Sequence, residues 1–352
     1  MTPMSEGSVV PLVVVERGGR VESVHHGAIA VTDATGRLIA SAGSPGLATF
    51  TRSALKPFQA LPFVLAGGPS RFGLSQQQVA LLCASHSGEV RHQVAVADLL
   101  ARAGCSASEL ACGSHAPYVY DSLDESPPPP PYSPLGHNCS GKHAGMLACC
   151  ALHGWRKDSY VDPAHPLQRA IRAAVARLSG IAEDTLAPAV DGCSAPNYEL
   201  PLSGLACAYA RLASGAAGDD GAACRTLSAA MAAHPEYVSG TGGGDLALMR
   251  AGSGRWIAKT GAEGVQTLGL VREGVGIAIK VADGAHRAKL PIAIAVLDAL
   301  GFLDGNARQA LTPLASPLLH NARGTEVGRI RSVLVLDKSP ERHASAAAEP
   351  RR

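Results

Sequence analysis

The amino-acid sequence predicts an α/β protein of the α+β kind, with an antiparallel sheet built from both ends of the chain. Strand patterns separated by short turns occur before residue 45 and again between residues 255 and 281. Helical periodicity dominates the region between these two groups. The simplest arrangement joins both groups in one sheet, so we expect a single unit over residues 1–337. Its sheet part takes about residues 1–55 and 236–337, and its mainly helical part takes about 56–235.

The early strands are rich in valine and isoleucine and are separated by tight turns. Residues 9–16 form the first predicted strand, and residues 27–31 and 38–41 form the next two. The segment Asp33-Ala-Thr-Gly36 joins the last two and supplies the glycine that a tight hairpin needs. These features predict a strand followed by a hairpin.

The last third of the chain returns to strands. Three are predicted at residues 255–261, 265–271 and 275–281, with glycine turns between them, and an apolar helix is predicted at 290–303. Residues 338–352 are polar and rich in alanine, so we expect a disordered tail there.

The middle of the chain predicts helices around polar loops. Helical periodicity covers residues 75–103 in two pieces, and a polar cluster between them places Ser85 in a loop after a helix end. Five consecutive prolines, Pro127 to Pro131, exclude a helix or central strand over residues 113–138. Further helices are predicted at 166–178, 200–213 and 223–233.

The composition favours a function located in a pocket over one located on a charged surface. The apolar content of 46% can bury a sizeable core, and a formal charge of +2 without a basic run excludes a nucleic-acid surface. No stretch is long and apolar enough to predict a membrane span. The nine cysteines and the lack of a signal-peptide pattern over the first twenty residues predict a cytoplasmic protein with reduced thiols.

Ser53 and Lys56 form an S-x-x-K pattern, with side chains three residues apart on one helix face. A lysine in an apolar site can lose its proton and activate a neighbouring hydroxyl. Pro57 is tolerated only in the first turn of a helix, which places Ser53 at the very start. The same four residues also fit an N-capping serine followed by a surface lysine.

Two further motifs follow Ser53-x-x-Lys56 in chain order. Ser85-His86-Ser87 and then Lys259-Thr260-Gly261 complete the S-x-x-K, S-x-[NS], K-T-G series typical of penicillin-binding proteins and serine β-lactamases. This chemistry is acyl transfer, in which a serine attacks a carbonyl and lysines move its proton. Each motif alone also fits a helix cap or a solvated strand lysine.

A second constellation combines thiols with a lysine. Cys139 and Cys193, with Lys142 or His143 nearby, could hold a zinc ion if the lysine were unprotonated. The usual C-x-x-C pair is lacking, so spacing alone favours two buried or loop cysteines that never meet. Independently of a metal, His143 and Asp191 are expected to line a pocket.

Six segments together resemble one known family, the rhizobial-type, thermolabile L-asparaginases (asparaginase II). In chain order they read RSALKP, CASHSGE, NCSGKHAGM, VDGCSAP, HPEYVSG and AKTGA, and the resemblance runs from about residue 9 to residue 300. It implies a fold related to serine β-lactamases and glutaminases, a homodimer, and hydrolysis of L-asparagine to L-aspartate and ammonia.

The resemblance also implies roles for particular residues. It pairs Ser53 with Lys56 and Ser85 with Lys259, and the two serines could exchange roles as nucleophile. It assigns a zinc site, which activity need not require, to Cys139, Lys142 and Cys193. It assigns binding of the substrate's α-carboxylate and α-amine to Arg52, His143 and Asp191. Thr260 stands where the family often has an apolar residue.

Three alternatives share these motifs. The chain could be a β-lactamase or D,D-peptidase, although those substrates lie outside the cytoplasm. It could be a glutaminase-type serine amidohydrolase. It could also be a non-catalytic amino-acid-binding relative, which the two intact Ser–Lys pairs argue against.

Overall fold

The structure is a computed structural model and describes residues 9–339. The strands are β1 (Val10–Arg17), β2 (Arg20–Asp33), β3 (Leu38–Ala42), β4 (Ala48–Phe50), β5 (Pro188–Val190), β6 (Pro196–Pro201), β7 (Trp256–Thr260), β8 (Val265–Leu270), β9 (Val275–Val281), β10 (Leu318–His320), β11 (Glu326–Ser332) and β12 (Asp337–Lys338).

The helices lie mostly between β4 and β7. They are α1 (Lys56–Leu65), α2 (Gly68–Arg71), α3 (Gln76–Leu81), α4 (Val90–Arg102), α5 (Val119–Leu123), α6 (Ser140–His153), α7 (Pro166–Ser179), α8 (Leu202–Ser214), α9 (Gly221–Ala233), α10 (Pro235–Val238), α11 (Gly244–Gly252), α12 (His286–Ala299) and α13 (Gly305–Ala315). The short helix α5 lies in the segment 113–138, where the sequence predicts no helix, and it ends before the five prolines. No helix in the described part of the chain is long and apolar enough to cross a membrane.

Both ends of the chain contribute to one antiparallel sheet, as the sequence predicts. Its strand order is β10-β11-β1-β2-β9-β8-β7, and β3 extends it beside β2 with β12 at its edge. The early strand β2 pairs with the late strand β9 from Gly27↔Val281 to Asp33↔Val275. At the other side, β1 pairs with β11 from Val13↔Ser332 to Arg17↔Gly328. The helical region is therefore an insertion between strands of a common sheet.

The structure adds strands where the sequence predicts none. A small three-stranded sheet, β4-β6-β5, takes β5 and β6 from the region expected to be helical. Lys338 falls in the predicted disordered tail but pairs with Ala40. These strands are only two to six residues long, which gives a periodicity of two little length in which to show. The rest of the predicted tail, residues 340–352, lies outside the described residues.

Helices cover both faces of the sheet around β8 and β9. Every residue of β8 is buried, which requires cover on both faces. The helix α8 packs on β2, β8 and β9, and α12 packs on β1, β8, β9 and β11. Gly276 allows α8 to approach closely, because a Cβ there would lie 1.8 Å from the carbonyl oxygen of Ala206. The core of the sheet and the core of the helical part form one continuous apolar cluster.

Candidate active site

A cavity of about 530 Å3 opens where the end of β7 meets the loops that follow α3 and precede α11. Its polar lining includes Ser53, Ser85, Thr260 and Lys289. This volume lies within the range of about 300–1,000 Å3 that is usual for small-molecule sites. The cavity brings together the first halves of both Ser–Lys motifs.

Ser53 lies in a short 3-10 turn, Arg52–Leu55, that leads directly into α1. Arg52 adopts the left-handed region, with φ of +49°, which a residue with a side chain rarely occupies. The amide of Asn197 holds it there, accepting from the Arg52 backbone N–H at 3.0 Å and donating to its carbonyl at 3.0 Å. Among the described residues the Ser53 hydroxyl has no hydrogen-bond partner. The turn therefore presents a free hydroxyl to the cavity.

Lys56 bonds to Ser85 rather than to Ser53. Its Nζ donates to Ser85 Oγ at 2.7 Å and more weakly to the carbonyl of Asn138 at 3.4 Å. Because Lys56 is only 1% exposed, its amine needs hydrogen-bond partners, and the loop after α3 supplies the Ser85 hydroxyl. Among the described residues no hydrogen bond joins Lys56 to Ser53, because the amine is directed to Ser85 and Asn138.

Lys259 is fully buried on β7, and its contacts differ from the expected pairing with Ser85. Its Nζ donates to the carbonyl of Thr260 at 3.0 Å and lies 3.5 Å from Asp245 Oδ2. Burial lowers the pKa of Lys259 to about 8, partly opposed by Asp245 and reinforced by the ammonium of Lys56. The 3-10 turn of Ser53 packs against β7, so Lys259 does lie beside the serine motif.

Asp245 is a site residue that the sequence analysis missed. It is 1% exposed, accepts from the Thr260 backbone N–H at 2.7 Å and from Gln266 Nε2 at 3.0 Å, and faces Lys259. The available signal was a single acidic residue in the first turn of α11, after a glycine-rich bend. That position alone predicts a favourable helix dipole contact and nothing more.

The structure brings Cys139, Lys142 and Cys193 together. Lys142 Nζ donates to Cys193 Sγ at 2.7 Å. The pKa of Cys139 lies well below its ordinary value because of a hydrogen bond with Cys193 and the nearby ammonium groups of Lys56 and Lys142, which outweigh its burial. Burial alone would lower the pKa of Lys142, but the two sulfurs raise it. The two cysteines therefore do meet.

These donors match the chemistry of a zinc site only if Lys142 takes part. Within residues 9–339, no group of three or more His, Cys, Asp or Glu side chains is arranged to hold a metal ion. The Nε2 of His143 is buried without a hydrogen-bond partner among the described residues, and its ring interacts with Cys193. Two sulfurs and nitrogen donors are the set that zinc prefers.

Arg52 and Asp191 form a pair beside the main cavity. Arg52 Nε donates to Asp191 Oδ1 at 2.9 Å, and both residues line a neighbouring cavity of about 230 Å3 with Asn197. Burial would raise the pKa of Asp191, but the Gly192 N–H, Lys142 and Arg52 lower it overall. Asp191 thus interacts both with the Arg52 guanidinium and with Lys142 of the thiol cluster, which is the group formed by Cys139, Lys142 and Cys193.

His143 lies inside the helical part and does not line either cavity. It is fully buried on α6, and its Nδ1 shares a hydrogen bond of 2.6 Å with the Tyr160 hydroxyl. Burial and the nearby Lys142 ammonium lower its pKa to about 4, so the ring is neutral near pH 7. Because His143 does not line either cavity, its predicted contact with the substrate stays a prediction.

Comparison with solved structures gives weak similarity. Two structures of Mglu match, its native form in 4.3 M NaCl at 17% identity and a TM-score of 0.37, and its glutamate form at 18% identity and 0.34. Each match covers 79% of this chain and 62% of the Mglu chain. The chain therefore spans less than two thirds of the length of Mglu. No curated protein matches the sequence.

A family comparison is more extensive. The model of the L-asparaginase II family matches residues 13–332, which include both Ser–Lys motifs and the thiol cluster. The match therefore confirms the resemblance seen in the six sequence segments. The chain belongs to the L-asparaginase II family of amidohydrolases.

Proposed function

We propose that this protein hydrolyses L-asparagine to L-aspartate and ammonia through an acyl-enzyme on a serine. One observation carries the proposal beyond family membership. A fully buried lysine, Lys56, lies 2.7 Å from the hydroxyl of Ser85, at a cavity that Ser53 also lines. A hydroxyl bonded to a buried amine can carry a proton away from a second, attacking hydroxyl, and nucleophilic catalysis by serine needs such a base. We also propose a fold related to serine β-lactamases, which the antiparallel sheet built from both chain ends supports.

Ser53 is the proposed nucleophile, and Ser85 is the proposed proton carrier between Ser53 and Lys56. Ser53 Oγ bonds to the side-chain carbonyl carbon of asparagine while its proton passes through Ser85 to Lys56, which reacts as the neutral amine. The free hydroxyl of Ser53 and the strained backbone of Arg52 support this choice. Ser85 is already committed to Lys56.

The remaining steps follow from the same groups. Stabilisation of the oxyanion is assigned to backbone N–H groups of the 3-10 turn other than that of Arg52, which bonds Asn197. The C–N bond then breaks, and ammonia leaves with a proton delivered through Ser85, with Lys259 beside it. Water attacks the ester carbonyl and gives a proton through Ser85 to Lys56, and that proton passes back to Ser53 Oγ as its C–O bond breaks to release L-aspartate.

Zinc is proposed for the thiol cluster, held by Cys139, Cys193 and Lys142. Bound zinc would order the loop before α6 and the turn before β6. Because both thiols and Lys142 must be deprotonated to ligate, binding would weaken as the pH falls. Metal content of the purified protein, measured by mass spectrometry with and without a chelator, tests this assignment separately from activity.

Three assays test the proposed function. Ammonia release from L-asparagine should exceed release from L-glutamine, and nitrocefin should stay intact. Binding of asparagine without ammonia release would favour a non-catalytic relative, and nitrocefin turnover would favour a β-lactamase. The homodimer implied by the resemblance and the cytoplasmic location predicted from the sequence stay predictions, and light scattering of the purified protein checks the first.

Two variants test the nucleophile. A diazoketone analogue of asparagine should label Ser53, as read by peptide mapping, and Ser53→Ala should abolish both labelling and turnover. Ser85→Ala should reduce turnover and keep labelling at Ser53. Labelling of Ser85 in the wild-type protein would reverse the assignment.

A further inference from the structure

Lys289 is a buried cation at the cavity that neither Ser–Lys pair uses. It lies in the first turn of α12, is 3% exposed and lines the cavity with Ser53 and Ser85. Its Nζ donates to Thr260 Oγ1 and to the carbonyl of Gly261, the latter at 3.2 Å. Both acceptors are neutral, and the third N–H of the ammonium has no partner among the described residues.

The charge of Lys289 is not balanced by a contact with an acidic side chain. Within residues 9–339 no salt bridge involves Lys289, and Asp245 is the only acidic group that acts on it electrostatically. The Asp245 carboxylate is occupied by the Thr260 N–H, Gln266 and Lys259. Because a buried charge without a partner is costly, a cation kept here indicates an anion that arrives from the cavity.

Thr260 is positioned to share that anion. Its Oγ1 already accepts a hydrogen bond from Lys289, so its own proton is free to be donated. Its one other contact, to the carbonyl of Gly261, is long at 3.5 Å. An ammonium N–H and a hydroxyl O–H side by side suit the two oxygens of a carboxylate.

We propose that Lys289 and Thr260 form the subsite that binds the α-carboxylate of the amino-acid substrate. The proposal rests on the proposed function. It differs from the assignment of that carboxylate to Arg52, whose Nε bonds Asp191 and which lines the neighbouring cavity. Lys289 and Thr260 line the cavity that holds both serines.

The test compares L-asparagine with β-alaninamide, which has the same amide and amine and lacks the α-carboxylate. Lys289→Met should lower kcat/KM for asparagine about 10- to 100-fold, mainly through KM, because one charged hydrogen bond is lost. The same variant should leave kcat/KM for β-alaninamide unchanged. Lys289→Arg should recover part of the loss, and Thr260→Ser should lose less than Thr260→Val. Lys157→Met, at a surface ion pair with Glu109, is the matched control and should change neither substrate.

Thermal unfolding and binding separate this subsite from a structural role. Lys289→Met should raise Tm, since it removes an unbalanced buried charge. A lower Tm with equal losses on both substrates, or a selective loss for asparagine in Arg52→Met with none in Lys289→Met, would overturn the proposal. If wild-type protein releases no ammonia from asparagine, the proposed function fails. Calorimetry with L-aspartate then still tests the subsite, because binding should weaken about 10- to 100-fold in Lys289→Met and an unchanged affinity overturns it.

Discussion

Asp245 controls how readily Lys259 loses its proton. Burial brings the pKa of Lys259 to about 8, and the Asp245 carboxylate keeps it from falling further. A lysine with a pKa near 8 is substantially neutral at slightly alkaline pH, so it can take up a proton during the reaction. Activity should therefore rise with pH through about 8 if neutral Lys259 is needed.

Replacing Asp245 tests this dependence. Asp245→Asn removes the negative charge that raises the pKa of Lys259 and keeps an oxygen for the Thr260 N–H. The rising limb of kcat/KM against pH should move to lower pH by about one unit, which corresponds to about 1.4 kcal/mol of lost charge interaction. Asp98→Asn, on the exposed side of α4, is the control and should leave the limb in place. A limb that stays fixed or moves to higher pH in Asp245→Asn would contradict the assignment.

Asn197 fixes the backbone that presents Ser53. Asn197→Ala removes both hydrogen bonds to the left-handed Arg52 from a buried position. We expect a loss of about 1–3 kcal/mol in the free energy of unfolding and at least a tenfold fall in kcat, because the serine loses its fixed position.

Denaturant titration and steady-state kinetics measure the two effects. Asn197→Asp keeps the acceptor and loses the donor, so it should fall between wild type and Asn197→Ala. Full activity in Asn197→Ala would show that the turn holds its shape without the amide.

At the scale of elements, the close approach of α8 to β9 depends on a missing side chain. Gly276→Ala would place a methyl group against the carbonyl of Ala206, in a contact that real structures do not tolerate. We expect a loss of about 1–3 kcal/mol in unfolding free energy, measured by denaturant titration. Gly305→Ala, at the start of α13 where added atoms meet open space, should be neutral or slightly stabilising. Equal stability of both variants would contradict the close packing of α8 on β9 at Gly276.

The site depends on element ends rather than element centres. Lys56 is the first residue of α1, Ser85 follows α3, and Asp245 is the second residue of α11. Helix ends and loops carry polar groups without interrupting the core, which explains why motifs predicted at loop boundaries came together. Lys259 is the exception, in a buried strand, and its charge requires the Asp245 carboxylate.

For the whole molecule, the shared core predicts a single unfolding transition. Trp256 lies buried on β7, and Trp155 lies in the helical part, partly buried against the same core. In Trp155→Phe, the fluorescence of Trp256 reports on the sheet, while far-UV circular dichroism reports mainly on helices. The two melting curves should coincide, because neither part has a core of its own. Two separate transitions would show that the helical insertion folds independently.

Much of the architecture could be predicted from local patterns. The strand β1, the β2–β3 hairpin, the three late strands and most long helices follow from periodicity and glycine turns. Their meeting in one sheet follows from their positions in the chain. The strands β5, β6 and β10 are too short to show a period, and β12 falls in an alanine-rich segment. Their pairing depends on contacts that sequence spacing does not reveal.

The sequence predicts which residues belong to the candidate site better than it predicts which of them contact each other. Ser53, Lys56, Ser85 and the thiol cluster were identified from motifs, and Cys139 and Cys193 do meet. The partner of Lys56 is Ser85, since tertiary packing decides which hydroxyl reaches a buried amine. No sequence motif includes Asn197, Asp245 or Lys289, and only the fold shows which groups these residues contact.

The pairing of β1 with β11 has a consequence for synthesis of the chain. The strand β1 cannot pair with β11 until Ser332, the partner of Val13 in the sheet, has left the ribosome. At about 5–20 residues per second, this interval is roughly 15–60 s. During that time β1 presents an unpaired edge that can join another nascent chain. Yield of folded protein should therefore depend on chaperone supply and on slow expression more than on the stability of the finished molecule.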